Sequence, residues 1–194
     1  MPKIIETIVT TSNAAGEIHV APLGLIVDGE TMVIAPFKPS RSLDNLRDVP
    51  FACASHTDDV RVFAGGVTGR KAWPLVPSRN GTGARLAGCI SHYELSVTKV
   101  IEDADRPRFA CRVETHEQHR PWHGWNRAQS AVIEGAILVS RLHMLPPAKI
   151  ESEVAYLEIA ISKTGGPAEI EAWGWLMERV EDWRRTSIEG VPAR

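Results

Sequence analysis

The chain changes character at Pro121. Before it, short runs of β-branched and apolar residues alternate with Gly, Pro, Asn and Asp turn signals; after it, apolar residues recur at helical spacing. Strands first and helices afterwards exclude an alternating βαβ layout. They predict a mainly antiparallel β domain followed by a helical unit. The boundaries read this way are residues 1–120 for the β domain, 121–185 for a C-terminal helical subdomain and 186–194 for a flexible tail.

Within the first part, residues 3–11 are β-branched and free of breakers, and residues 17–27 form a second strand. Pro22 inside that strand marks an edge or a bulge, because proline cannot donate to a ladder. Gly24 lets another group approach the backbone closely. Asp28-Gly29 signals a hairpin into a third strand over 31–37. Residues 42–47 are a short helix with Ser40 or Ser42 as its cap and Asp44 in its first turn; Pro50 ends it before a strand at 51–55. Residues 58–66 fit either a helical turn or a strand. Residues 73–87, rich in Pro and Gly, read as a long loop of the functional or mobile kind. Residues 91–101 and 109–113 make another hairpin.

In the second part, Asn126 caps a helix running to about His143, with Val132, Ala136, Val139 and Leu142 on one side. Pro146-Pro147 ends it and opens the next. That helix carries Ile150, Val154, Leu157 and Ile161 as an apolar stripe. Gly165-Gly166 closes it, and Pro167 opens a third with Ile170, Trp173, Met177 and Val180 at helical spacing. Amphipathic helices must cover something, either the β domain or a partner subunit.

Composition removes several function classes. With 194 residues and 43% hydrophobic content the chain buries a core without staples. A net charge of −2 provides no basic field for nucleic acid. No apolar run approaches the ~20 residues of a membrane span, and the N-terminus has no signal-peptide pattern, so the expected location is cytoplasmic. Three cysteines without CxxC spacing read as reduced, buried thiols, with Cys53 in packing. No G-x-S-x-G and no Rossmann G-x-G-x-x-G is present. His116, His119 and His123 lack the H-E-x-x-H spacing and run through Pro121, so they read as a solvated linker and no metal site is expected. The tryptophans default to core, although Trp122 and Trp125 could stack on a ligand.

The segment with the most chemistry is residues 36–46, PFKPSRSLDNL. Ser40, Arg41 and Ser42 stand where a strand ends and a helix begins. Backbone N–H groups, two hydroxyls and a guanidinium there suit a phosphate; the plain alternative is a helix cap with an exposed arginine.

With IIETIVTT at 4–11, HVAPLG at 19–24, NRAQSAVIEGAILVSRL at 126–142, and KTGG followed by EIEAW at 163–173, that segment resembles the FMN-binding split-barrel superfamily of flavin reductases and pyridoxamine-phosphate oxidases. More narrowly, the chain resembles the domain-of-unknown-function family 447 of archaea and one-carbon-metabolising bacteria. The 72–88 segment and the tail past Arg184 depart from that pattern, and Ser42 stands where threonine is common.

The resemblance implies an FMN-binding split β-barrel with a C-terminal helical subdomain, assembled as a homodimer with two FMN sites near the interface. Carried over, the backbone of His19, Val20, Ala21, Pro22, Leu23 and Gly24 runs beside the isoalloxazine ring. Phe37 and Lys38 edge the cofactor, Ser40, Arg41 and Ser42 hold its phosphate, and Asn45 bonds the phosphate or braces the turn. Asn126 and Arg127 either reach the phosphate or a substrate, or serve as helix cap and ion-pair partner. The implied function is that of a flavin reductase-like oxidoreductase acting on a small-molecule redox substrate. Hydride would arrive from a reduced nicotinamide or a pterin-like donor. The alternatives are a non-catalytic flavin carrier or sensor, and a barrel binding another ligand. No catalytic residue is singled out.

Overall fold

The computed structural model describes residues 2–188. The chain divides into two compact units, Met1–Asp58 with Ala72–Trp122, and Asp59–Lys71 with His123–Arg194. The sequence suggested one boundary near residue 120. One boundary does fall there, between Trp122 and His123, and the fold also sends an early segment, Asp59–Lys71, into the helical unit.

The first unit is a six-stranded antiparallel barrel. Its strands are β1 (Lys3–Ser12), β2 (Ile18–Asp28), β3 (Thr31–Ile34), β4 (Phe51–His56), β7 (Ser91–Ile101) and β8 (Arg108–Gln118), closed in the order β1-β2-β3-β8-β7-β4. The β1–β2 turn is held by Asn13, whose Oδ1 accepts the N–H groups of Ala15 and Glu17 at 3.0 and 2.9 Å. Asp28 faces Thr31 across the next turn, where Gly29 takes φ +65. That positive φ at the first central position is what a tight hairpin demands.

Strand alternation sends Val9, Leu25, Ile34, Ala52, Ala54, Leu95, Phe109 and Cys111 into one core. Helix α1 (Arg41–Asp48) adds Leu43 and Leu46 to it. The third strand is shorter than expected, because the chain leaves the ladder after Ile34.

The segment read as a loop, 73–87, is a hairpin of β5 (Leu75–Pro77) and β6 (Ala84–Leu86). It packs on the outward faces of β1, β4 and β7. Thr10 Oγ1 donates to the Ala84 carbonyl and Ser12 Oγ to that of Thr82. The Leu86 N–H donates to Ser55 Oγ at 3.2 Å, and the Arg79 N–H to Glu94 Oε1 at 2.6 Å. A Cβ on Gly83 would lie 3.0 Å from the Phe51 ring, so a side chain there would press on that ring. Three-residue strands are too short to carry a readable period. These tertiary bonds to buried hydroxyl and carboxylate groups make the hairpin.

The second unit comprises α2 (Arg61–Thr68), α3 (Arg127–Val139), α4 (Pro147–Thr164) and α5 (Pro167–Ile188). The ambiguous 58–66 stretch is therefore helical, and it ends at Gly69 in the left-handed region. Val132, Ala136, Val139, Ile150, Val154, Ile161, Trp173 and Val180 are all buried, as their spacing predicts. Ile170 is exposed instead, and Leu176 fills the core position on α5. Helix α3 is shorter than expected, giving way to turns after Val139. Helix α5 runs past Thr186 to Ile188; the rest of the 186–194 segment read as a tail lies outside the described residues. No helix among the described residues is long and apolar enough to cross a membrane.

Helices α3 and α5 meet at Gly135, where a Cβ would lie 2.9 Å from Trp173 Cζ3 and 3.1 Å from Leu176 Cδ1. Gly135→Val is expected to overpack this contact and to lower stability by about 1–3 kcal/mol. Denaturant unfolding of the variant beside the parent chain checks it.

Candidate flavin site and membership of the family

Strand β1 pairs with β2 from Ile18 to Val27, but β3 takes up only Leu25–Asp28 on its other side. Among the described residues, Ile18–Gly24 therefore has a strand on one side only. Pro22 sits in this half, where its missing N–H costs least. All seven residues of the half are partly exposed, with no inward–outward alternation. Leu23 is tied inward, its carbonyl accepting from Thr7 Oγ1 at 2.8 Å. The bare face of Gly24 is not open. Ile4 Cγ2 comes within 2.7 Å of where a Cβ would stand, so the glycine admits a β1 side chain.

Past β3, the chain is pinned to the β7–β8 turn before it enters α1. The Ala35 carbonyl accepts two bonds from Arg106, at 3.2 and 2.9 Å. The same guanidinium lies 4.2 Å over the ring of Phe37, which is 56% exposed. Lys38 Nζ donates to the Asp103 carbonyl at 2.7 Å and lies 3.6 Å from Glu102 Oε2. A shallow cavity of about 350 Å³ opens here, lined by Ile26, Ala35, Asp103, Asp105, Arg106 and Arg108. Sequence reasoning missed this group. The sequence marks only a hairpin of 91–101 and 109–113 here, and nothing local shows that its turn folds back on Ala35.

Ser40 caps α1, its Oγ accepting the Leu43 N–H at 3.3 Å. Arg41, on the first turn, pairs with Glu17 at 3.1 Å, and the two side chains are 53% and 64% exposed. Such a pair contributes ~0–1 kcal/mol and exchanges easily for a stronger anion. Ser42 is buried. Asn45 is buried as well, its Nδ2 donating to Thr11 Oγ1 at 3.0 Å, so it braces α1 against β1. The structure thus brings Arg41 and Ser40 to the helix start as a cationic, capped N-terminus.

In the helical unit, Asn126 caps α3, accepting the Ala128 N–H at 2.7 Å and donating to the Thr164 carbonyl at 3.1 Å. Its side chain is committed at both ends. Arg127 is exposed on the first turn of α3. Trp122 and Trp125 are exposed, and Trp173 is buried. The three cysteines are buried and free. Burial pushes the Cys53 thiol up to about 12, which suits packing and not nucleophilic attack.

The histidine segment is not a linker throughout. Strand β8 continues to Gln118, so His116 lies in the ladder, its ring 4.4 Å from that of Tyr93. His119 follows the strand end, hydrogen-bonded to buried His92 at 2.9 Å. Polar residues on both faces of β8 had hidden its second half from a period-two reading.

Comparison with known proteins now decides the family. The protein of unknown function DUF447 matches along nearly the whole chain, its N-terminal domain over residues 5–120 and its C-terminal domain over residues 126–178. The chain belongs to the DUF447 family. No curated protein matches it. Among solved structures, the FMN-bound DUF447 protein MM1853 from Methanosarcina mazei is similar with a TM-score of 0.79 at 18% identity, over 92% of this chain and 96% of that one. The Pseudomonas fluorescens 2-nitrobenzoate 2-nitroreductase NbaA is similar at 0.52 and 17% identity, over 61% of this chain and 66% of that one. The Streptomyces globisporus NADH:FAD oxidoreductase SgcE6 gives 0.50 at 16% identity, over 59% of this chain and 70% of that one. At these identities the likeness concerns the fold: a split β-barrel with C-terminal helices, which this DUF447 chain has.

Proposed function

We propose that this DUF447 protein binds FMN along the one-sided half of β2, with the phosphate at the N-terminus of α1. The observation that carries the reading is that, among the described residues, Ile18–Gly24 has a strand partner on one side only, on a fold shared over 92% of the chain with an FMN-bound family member. Val20, Ala21, Pro22, Leu23 and the neighbouring His19 would present backbone to the ring. Phe37 and Lys38 would bound it from the chain that leaves β3. Ser40 and Arg41 would take the phosphate, Arg41 exchanging Glu17 for it, with Ser42 and Asn45 holding the helix start in place. Asn126 serves here as a helix cap; Arg127 is the one of that pair with a side chain exposed for an anion.

FMN, once bound, supplies hydride transfer, and the protein's part is to orient the ring and control access to it. Flavin reductase-like chemistry on a small redox substrate is the use we assign, supported by the reductase fold neighbours. Three buried thiols without a disulfide suit a reducing, cytoplasmic setting. Exposed Ile4, Phe37, Val100 and Ile101 on the barrel unit support assembly as a homodimer.

The experiment is turnover by the FMN-loaded chain. Oxidation of NADH or NADPH at a rate above that of free FMN is the expected result. Tight FMN binding without turnover by any donor would make the protein a flavin carrier. Sedimentation at equilibrium tests the dimer, with twice the mass of the 194-residue chain expected.

A further inference from the structure

The histidine pair at the end of β8 is not among the residues assigned to flavin, and its geometry is specific. Register places His92 of β7 opposite Glu117 of β8. The backbone N–H of His119 donates to the Ile90 carbonyl at 2.8 Å, which fixes His119 beside His92. His92 Nδ1 and His119 Nε2 are 2.9 Å apart, with ring centroids 5.0 Å apart and planes inclined by 20°. The centroid separation exceeds the nitrogen separation by almost two ring radii. The rings therefore meet edge to edge, each nitrogen aimed at the other.

We propose that His92, Glu117 and His119 form a site for one divalent transition-metal ion of the imidazole-preferring kind, such as Zn²⁺ or Co²⁺. One ligand atom from each of the three lies within 4.8 Å of the others. His92 is 2% exposed, Glu117 half-buried and His119 exposed, so the site has a fixed floor and an open mouth. Behind His92, the buried carboxylate of Glu94 lies 3.6 Å from Nε2 and is itself held by the Arg79 N–H. A carboxylate accepts only, so its charge favours the His92 tautomer with the proton on Nε2, which leaves the Nδ1 lone pair facing His119. A carboxylate behind a ligating imidazole is the usual arrangement in metal sites.

In that tautomer, without metal, His119 Nε2–H donates to the lone pair. On binding, the His119 proton moves to Nδ1, two lone pairs meet the ion, and no net proton leaves the pair. Two imidazole nitrogens on tetrahedral zinc stand about 3.3 Å apart, so the pair must part by only a few tenths of an ångström. Arg79, 3.1 Å from Glu117 Oε1, and nearby Arg85 oppose the ion's charge. That repulsion acts on every divalent ion alike, and the two imidazoles select against hard cations such as Mg²⁺, which gain little from them.

The test is titration of the untagged, EDTA-stripped full chain with Co²⁺, then displacement by Zn²⁺. One Co²⁺ per chain with visible ligand-field bands is expected. His119→Ala, exposed and safe for the fold, is expected to weaken binding roughly a hundredfold, and Glu117→Gln by about tenfold or more. His123→Ala should match the parent chain. Circular dichroism confirms that each variant folds. Absence of stoichiometric Co²⁺ binding, equal binding by His119→Ala, or loss of binding in His123→Ala would each overturn the site. None of these readouts depends on flavin.

Discussion

Arg41→Ala is expected to weaken FMN binding roughly ten- to a hundredfold and to leave the fold intact. Charge-assisted bonds from a guanidinium to a phosphate contribute about 1.5–3 kcal/mol, and each 1.4 kcal/mol is about a factor of ten. The fold is spared because Arg41 makes only an exposed pair with Glu17, while the cap of α1 belongs to Ser40. Arg41→Lys keeps the charge but loses the planar fork, so its affinity should fall between parent and alanine variant. Glu17→Gln removes the internal competitor for Arg41 and should tighten FMN slightly. Quenching of flavin fluorescence on titration reads all three. An unchanged dissociation constant in Arg41→Ala would remove the phosphate from the start of α1.

Phe109→Ala is expected to lower the unfolding free energy of the barrel by about 3–5 kcal/mol. Phe109 is 1% exposed on β8, and it shares a core with Ile34 of β3 and with Leu43 and Leu46 of α1. Emptying that volume leaves a cavity between the short β3 ladder and the helix that carries Ser40 and Arg41. Against a total stability of about 5–15 kcal/mol, the loss decides whether the unit stays folded at 37 °C. Phe109→Leu should cost clearly less, since part of the volume is kept. Urea unfolding followed by circular dichroism measures both. A loss below about 1 kcal/mol in Phe109→Ala would mean that the barrel interior is not packed as described.

Much of this was readable from local pattern. Asp28-Gly29 announced a hairpin, and the structure places Gly29 at positive φ there. The stripes Ile150, Val154, Ile161 and Val132, Ala136, Val139 became buried faces. Ser40 and Asn126 were legible as caps because capping chemistry is local. What stayed hidden is tertiary. The β5–β6 hairpin exists because Thr10, Ser12, Ser55 and Glu94 offer it polar partners from other strands. Segment Asp59–Lys71 joins helices more than fifty residues further on, which no window of sequence can show. The His92–His119 contact spans 27 positions and depends on a strand whose second half is polar on both faces. In the candidate flavin site, the capped, cationic start of α1 was legible as a motif. That Ile18–Gly24 is paired on one side only follows from the length of β3, which the run to Phe37 overstated.

The central claim is that this chain is a flavoprotein that recognises FMN by its phosphate. The most direct measurement is a titration of the purified, flavin-free chain with FMN and, in parallel, with riboflavin, which has the same ring and no phosphate. The expected result is one FMN per chain, a yellow protein with quenched flavin fluorescence, and binding of riboflavin weaker by roughly tenfold or more. Failure to bind FMN, or equal affinity for the two flavins, would contradict the account.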